Sequence, residues 1–410
     1  VSTLVKSQRL ILTTSLLIGA ALSLIAWMPV FGVEGAPFRT LIVGGGPDLE
    51  HNQVAIESNV RYLSRLMPPG SPTRVLFADG NPDSKNIQCQ GDDAKTFYKK
   101  SDIARIDGPS DLDSIKSELA SIGTDAQANP KAPVLLYFTG HGSPDPSGNP
   151  DPARRFDNNS YDLWNNRKLT VREFALALKS FPKTTPITLV MVECFSGAFG
   201  NLLFENGDPT GELADLNLCG FYASVAQRPA AGCTPELKEA NYRDFTSYFV
   251  AALTGVDRLG NKVTGADFNN DGRVGMNEAF AYALIHDDSI DTPVCTSDVF
   301  LRRFVKTPDP EIMGTPFSEV EKWATRAQLA ALDWLSDSIQ LKGEDRIQQA
   351  YNTFLKIDQG SDALNDVHLI RFVRLAKSIV LAHTLASSRD ETLKTRFSEL
   401  LQAESGNPLR

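Results

Sequence analysis

Between residues 38 and 225 five short apolar runs alternate with helix-patterned stretches, and few folds accommodate that alternation. The runs are Phe38 to Val43, Arg74 to Ala78, Val134 to Thr139, Ile187 to Val192 and Cys219 to Val225. Unbroken apolar strands of this length are buried on both faces, which is the environment of a parallel sheet covered by helices. Ile56, Val60, Leu63 and Met67 fall at helical spacing after the first run. Thr170 and Glu173 form a capping box ahead of Phe174, Leu176 and Leu178. The stretch from Ser143 to Asn159, rich in Pro, Gly, Asp and Asn, predicts a long surface loop directly after the third strand. The expected fold class is therefore α/β with a mostly parallel central sheet. From Thr315 the pattern turns wholly helical, with one stripe through Val320, Trp323, Ala327, Ala331 and Trp334 and another through Leu369, Val373, Ala376 and Val380. This predicts a C-terminal all-helical domain over 317–410, joined by a linker over 306–316 to an α/β domain spanning 37–305.

The segment 1–36 carries a different signal: Lys6 and Arg9 precede a charge-free apolar run from Leu10 to Phe31. That is the pattern of an export signal, and at about twenty residues the run is also long enough to stay in a bilayer as an anchor. The expectation is an exported protein, either secreted, periplasmic or held at a membrane by residues 10–31. A net charge of −9 without a dense Lys/Arg run speaks against nucleic acid as a partner. Five cysteines, at 89, 194, 219, 233 and 295, leave one unpaired in an oxidising compartment. If Cys194 is the free thiol, the other four pair in three ways, of which Cys219 with Cys233 closes the shortest loop.

Chemistry concentrates at two strand ends. The third strand closes in Thr139-Gly140-His141-Gly142 and the fourth in Glu193-Cys194-Phe195-Ser196-Gly197. Side chains at the carboxyl ends of neighbouring parallel strands converge on one crevice. An imidazole there activates a thiol that is otherwise largely protonated at neutral pH, and then protonates the leaving amine. Gly142 leaves a backbone amide uncovered which, with that of Cys194, is suited to an oxyanion. The plain alternative is a buried structural cysteine and a surface histidine. Two such motifs about fifty residues apart, each closing an apolar strand, argue against it. His51, His286, His368 and His383 lack such a setting and read as structural or solvated. The glycines Gly44-Gly45-Gly46 do not complete a dinucleotide fingerprint, because Leu49 stands at the next glycine position, so no organic cofactor is expected. Pro47 to Gln53 instead reads as a rim of the cleft, with His51 and Asn52 exposed.

A strand ending in His-Gly followed by one ending in Glu-Cys-x-Ser-Gly resembles the caspase, metacaspase and legumain clan of cysteine peptidases, and the legumain branch most of all. Ala226-Gln227-Arg228-Pro229 and Tyr242-Arg243-Asp244-Phe245-Thr246-Ser247 extend the resemblance, which covers about half the chain, from Phe38 to Thr254. It implies a three-layer caspase-like fold, a peptide or protein substrate, His141 and Cys194 as the catalytic dyad and an acyl-enzyme thioester. It further implies a substrate pocket lined by Ser224 and Asp244, with Glu193 nearby, and Asn or Asp before the scissile bond. Legumains carry their acidic residue two places before the nucleophile, whereas Glu193 is adjacent to Cys194 and therefore points to the other face of a strand. Asp244 reads equally well as a carboxylate at a helix N-terminus. By the same resemblance the helical tail is a candidate cover for the active site. Two alternatives share these residues: a transpeptidase, in which an amine resolves the thioester, and a non-catalytic, calcium-stabilised scaffold.

Asp267, Asn269, Asp271, Gly272 and Glu278 match a twelve-residue calcium loop, with the carbonyl of Arg273 as the seventh-position ligand. The glycine-rich segment Gly260 to Gly265 before it cannot be an entering helix, so the expectation is a single structural Ca2+ site rather than a paired sensor.

Overall fold

The computed structural model describes residues 39–409 apart from Pro69; the export or anchor segment, and Phe38 at the start of the first run, lie outside the described residues. All five apolar runs are strands of one sheet. In chain order the elements begin with β1 (Arg39–Gly45), α1 (Val54–Leu66), β2 (Thr73–Phe77), a hairpin of β3 (Ile87–Gln90) and β4 (Thr96–Lys99), and α2 (Leu112–Ala128). They continue with β5 (Val134–Ser143), the hairpin β6 (Ser160–Leu163) and β7 (Arg167–Thr170), α3 (Val171–Leu178), β8 (Ile187–Met191) and β9 (Leu218–Tyr222). The sheet runs in the order β10-β9-β8-β5-β1-β2, where β10 (Val294–Cys295) pairs antiparallel with β9 and the other neighbours are parallel.

Alternation along each strand builds two cores. Leu41, Val43, Leu136, Phe138, Leu189 and Met191 face α2 and α3, whereas Ile42, Leu135, Tyr137, Val190 and Val192 face α1 and two later helices, α4 (Phe245–Thr254) and α5 (Met276–His286). Thr170 caps α3 as expected, its hydroxyl accepting from the Glu173 amide at 3.2 Å.

The remaining helices are α6 (Thr296–Phe304), α7 (Asp309–Met313), α8 (Phe317–Trp323), α9 (Arg326–Ser338), α10 (Arg346–Phe354), α11 (Leu364–Ser387) and α12 (Glu391–Glu404). Their apolar faces do not form a core of their own. Leu332, Leu335, Phe372, Val373 and Leu400 belong to the same buried cluster as Ile42, Val190 and Phe249. The segment 306–316 contains α7, whose Ile312 and Met313 are buried in that cluster. The first tail stripe breaks at Ala324, where Thr325 begins α9 with a capping box, and Trp334 is left exposed.

Candidate active site

Strand register brings the two motifs level. Phe138 of β5 pairs with Met191 of β8, and the Val192 amide donates to the Phe138 carbonyl at 3.0 Å, carrying the pairing one step further. His141 and Cys194 each stand three residues beyond that pair. A Cβ at Gly142 would collide with the Cys194 carbonyl oxygen, so the close approach of the two strand ends needs glycine there. β6 pairs across the end of β5, placing Asp162 opposite His141.

His141 has a partner that the sequence did not reveal. Its Nε2 lies 2.8 Å from Gln53 Oε1, and the imidazole also meets the backbone of His51, so the loop after β1 holds the ring from one side. Burial holds the imidazole below its ordinary pKa, and a second histidine adds to this: His51 packs edge-on against His141 with ring centroids 5.8 Å apart. His51 is exposed and is paired through Nδ1 with Asp48 Oδ1 at 2.7 Å. It is thus exposed, as its place on the expected rim implies, and stands beside His141 rather than merely in solvent. Asn52, expected to be exposed beside it, is fully buried: it accepts from the Gly46 amide at 3.1 Å and donates to the Asn86 carbonyl at 2.9 Å. It pins the loop that presents His51 and Gln53.

Cys194 stands at a forced turn. Phe195 after it adopts φ 61°, a left-handed conformation that costs a bulky side chain free energy and is typical of functional turns. The thiol meets a strap of its own chain, Arg228 to Cys233. Cys194 Sγ accepts from the Ala230 amide at 3.3 Å and donates to the Ala230 carbonyl at 3.5 Å. Burial pushes the thiol pKa up, the Ala230 amide draws it down, and the nearby Asp291 carboxylate raises it further. Burial thus disfavours the charged form of both groups, the thiolate and the imidazolium.

No family model matches this chain, and neither does any curated protein. Among solved structures it is similar to protein GSU0716 from Geobacter sulfurreducens, at 13% identity and a TM-score of 0.37 over 63% of this chain and 92% of that one. It is also similar to Raptor from Chaetomium thermophilum, at 12% identity and a TM-score of 0.30 over 83% of this chain and 25% of that one. Neither likeness is close enough to carry a functional argument, so the reading rests on the site itself.

The three residues expected around the substrate separate. The Glu193 side chain lies against Gly142 near the end of β5. It is buried, neither carboxylate oxygen has a hydrogen-bond partner among the described residues, and burial raises its pKa far above the ordinary value. Ser224 and Asp244 lie on the strap side. Ser224 Oγ donates to the Pro229 carbonyl at 2.9 Å. Asp244 caps α4, accepting from the Ser247 amide at 2.7 Å, and it is also paired with the buried Arg258 at 3.2 Å. The helix-terminus reading of Asp244 is therefore realised, whatever else the residue does. The bridge favoured between Cys219 and Cys233 is not formed, and all five cysteines are free thiols. Cys219 lies within the sheet against Thr188, whereas the Cys233 thiol reaches across the site to the Gly140 carbonyl at 3.3 Å.

The calcium-type loop has the expected turn, with Gly272 at φ 84° and Asn270 at φ 61°. Asp267 accepts from the amides of Asp271 and Gly272 at 3.1 and 2.9 Å. Glu278 turns inward onto the amides of Phe268, Asn269 and Gly275, at 3.0, 3.1 and 3.0 Å. The residue types and the turn fit a cation. The side chains, however, are spent on backbone amides, and no cluster of three metal-ligating side chains forms among the described residues.

Proposed function

We propose that this chain is a cysteine endopeptidase of the caspase and legumain kind, with Cys194 as nucleophile and His141 as acid and base. The observation that carries the reading is the shared register of the two residues beyond Phe138 and Met191. Supporting it are the left-handed turn at Phe195, the Gln53 anchor on His141 and the glycine-requiring contact between Gly142 and Cys194.

In the proposed reaction the His141 imidazole takes the Cys194 proton as the sulfur attacks a peptide carbonyl. The same proton then passes to the leaving amine, and water resolves the thioester. The strap must leave the thiol before a peptide can approach. If an amine rather than water resolves the thioester, the same residues serve a transpeptidase. Calcium remains part of the proposal as a structural ion: Asp267, Asn269, Asp271, the Arg273 carbonyl and Glu278 would hold it once Glu278 releases its three amides.

The test is hydrolysis of peptide substrates by the wild type, Cys194→Ala and His141→Ala under mild reduction, with and without calcium and with a competing amine. Activity abolished in both variants supports the peptidase reading, and product joined to the amine selects the transpeptidase. Turnover that survives Cys194→Ala sinks both, and a chain that cleaves and joins nothing is left as the scaffold.

A further inference from the structure

The loop that joins β5 to β6 returns to the residue directly after Cys194 and builds an aromatic platform there. Phe195 is held in its left-handed turn from two sides: its amide donates to the Arg228 carbonyl at 2.9 Å, and its own carbonyl accepts from Asn159 Nδ2 at 3.1 Å. Asn159 also donates to the Ala226 carbonyl at 2.9 Å, which fixes the end of the loop against the segment after β9. The Phe195 ring is met by Phe156 of the loop, stacked at 12° with centroids 6.4 Å apart. Over Phe156 lies the Arg155 guanidinium, 4.8 Å from the ring centroid. One chain of contacts thus leads from the residue after the nucleophile through two rings to a cation.

The two arginines of this loop differ in what answers their charge. Arg154 is bound by Asp157 and Asp208, each at 2.9 Å. Arg155 is exposed, and among the described residues it has no hydrogen-bond or ion-pair partner, only the face of Phe156. A guanidinium resting on an aromatic face keeps its fork of N-H donors free for a planar carboxylate. The side of the substrate follows from the chemistry. His141 passes its proton to the leaving amine, so the leaving part of the peptide lies on the His141 side of Cys194. The loop that carries Arg155 and Phe156 issues from β5 two residues beyond His141, and β6 at its far end lies across β5 with Asp162 opposite His141.

Resting on the peptidase reading, we propose that Arg155 is a specificity-determining residue for the leaving side of the substrate. It takes an Asp or Glu within the first three residues after the scissile bond, with the rings of Phe195 and Phe156 beside the intervening chain. The reach is set by the two steps, 6.4 Å from ring to ring and 4.8 Å from ring to guanidinium, which together cover about three residues of extended chain at roughly 3.3–3.6 Å each.

The test uses internally quenched peptides that are identical except for Glu, Gln or Lys at the first, second or third residue after the scissile bond. Cleavage is followed with the wild type and Arg155→Glu at low and high salt, and binding by calorimetry with Cys194→Ala and Cys194→Ala/Arg155→Glu, which does not depend on turnover. At one of these positions the wild type is expected to cleave the Glu peptide about fivefold or more faster than the Lys peptide, with salt compressing the ratio, and Arg155→Glu to invert the order. Each ratio is taken within one protein, so a general change of turnover in the variant does not disturb it. Cys194-dependent cleavage with a ratio below about two at all three positions, or a preference that Arg155→Glu leaves in place, overturns this inference and leaves the peptidase reading intact. Glu-selective binding to Cys194→Ala that Arg155→Glu reverses, without any cleavage by the wild type, upholds the surface and overturns the peptidase reading. Absence of both cleavage and selective binding overturns the two together.

Discussion

On the peptidase reading, the contact of Gln53 Oε1 with His141 Nε2 orients the imidazole for proton transfer. Burial meanwhile lowers the pKa of that imidazole, which favours the neutral form the proposed base requires. Activity should therefore fall only as pH drops through a value below 6.5, where His141 takes up a proton and can no longer accept one from Cys194. Gln53→Leu should lower kcat by about tenfold or more with KM little changed, because the base is disoriented while the pocket is untouched. Gln53→Glu should move the acid limb of the pH profile upward, since a carboxylate favours the imidazolium. A profile identical in wild type and Gln53→Glu would deny the contact any catalytic role. That His141 and Cys194 stand level at neighbouring strand ends was legible in sequence because each closes an apolar strand. Pro47 to Gln53 was read as a rim of the cleft, but the contacts of Gln53 and His51 with His141 were not foreseen, because they arise only through the parallel pairing of β1 with β5. Nor could sequence foresee that Asn52 turns inward, since the two backbone groups it satisfies arise from the fold of that loop.

At the scale of elements, the five sheet strands were readable because both-sided burial writes continuous apolar runs. The hairpins β3–β4, which forms a sheet of its own, and β6–β7 were not, since such short strands carry too many polar residues to write an apolar run. The docking of α12 was equally hidden. It rests on Glu404, a buried carboxyl that accepts from the Thr296 hydroxyl and the Ser297 amide at the start of α6, both at 2.8 Å. Burial raises its pKa from 4.5 to about 7, so the folded chain holds this proton more tightly than the unfolded one. The resulting stability is full below 4.5 and is lost as pH rises toward 7, a difference of about 3 kcal/mol. Glu404→Gln should accordingly raise Tm at about pH 8 and leave it unchanged near the carboxyl's ordinary pKa. An equal effect at both pH values would show that Glu404 does not titrate in this way.

For the whole molecule, the helices beyond residue 306 share one buried cluster with the sheet, and they also touch the site. The Arg228 guanidinium on the strap donates to the carbonyls of Gln359 and Ser361, the latter at 2.7 Å, while its own carbonyl accepts from the Phe195 amide at 2.9 Å. Arg228 thus ties the tail to Phe195, the residue after Cys194. A chain ending at residue 305 should lose cooperative unfolding rather than gain activity, because removing Leu332, Leu335 and Phe372 exposes the apolar face they cover, at about 2–5 kcal/mol for each large side chain. A truncated chain that folds and turns over faster would contradict this and favour a detachable cover. The sequence announced a helical tail through its stripes, but whether those stripes faced each other or the sheet was not encoded in their period. The most direct test of the central claim is mass spectrometry of the protein quenched in acid during turnover of a slowly hydrolysed peptide ester. The account predicts an acyl adduct on Cys194 that is absent from Cys194→Ala and no longer accumulates in His141→Ala; an adduct on another residue, or turnover without one in which Cys194 stays open to alkylation, would contradict it.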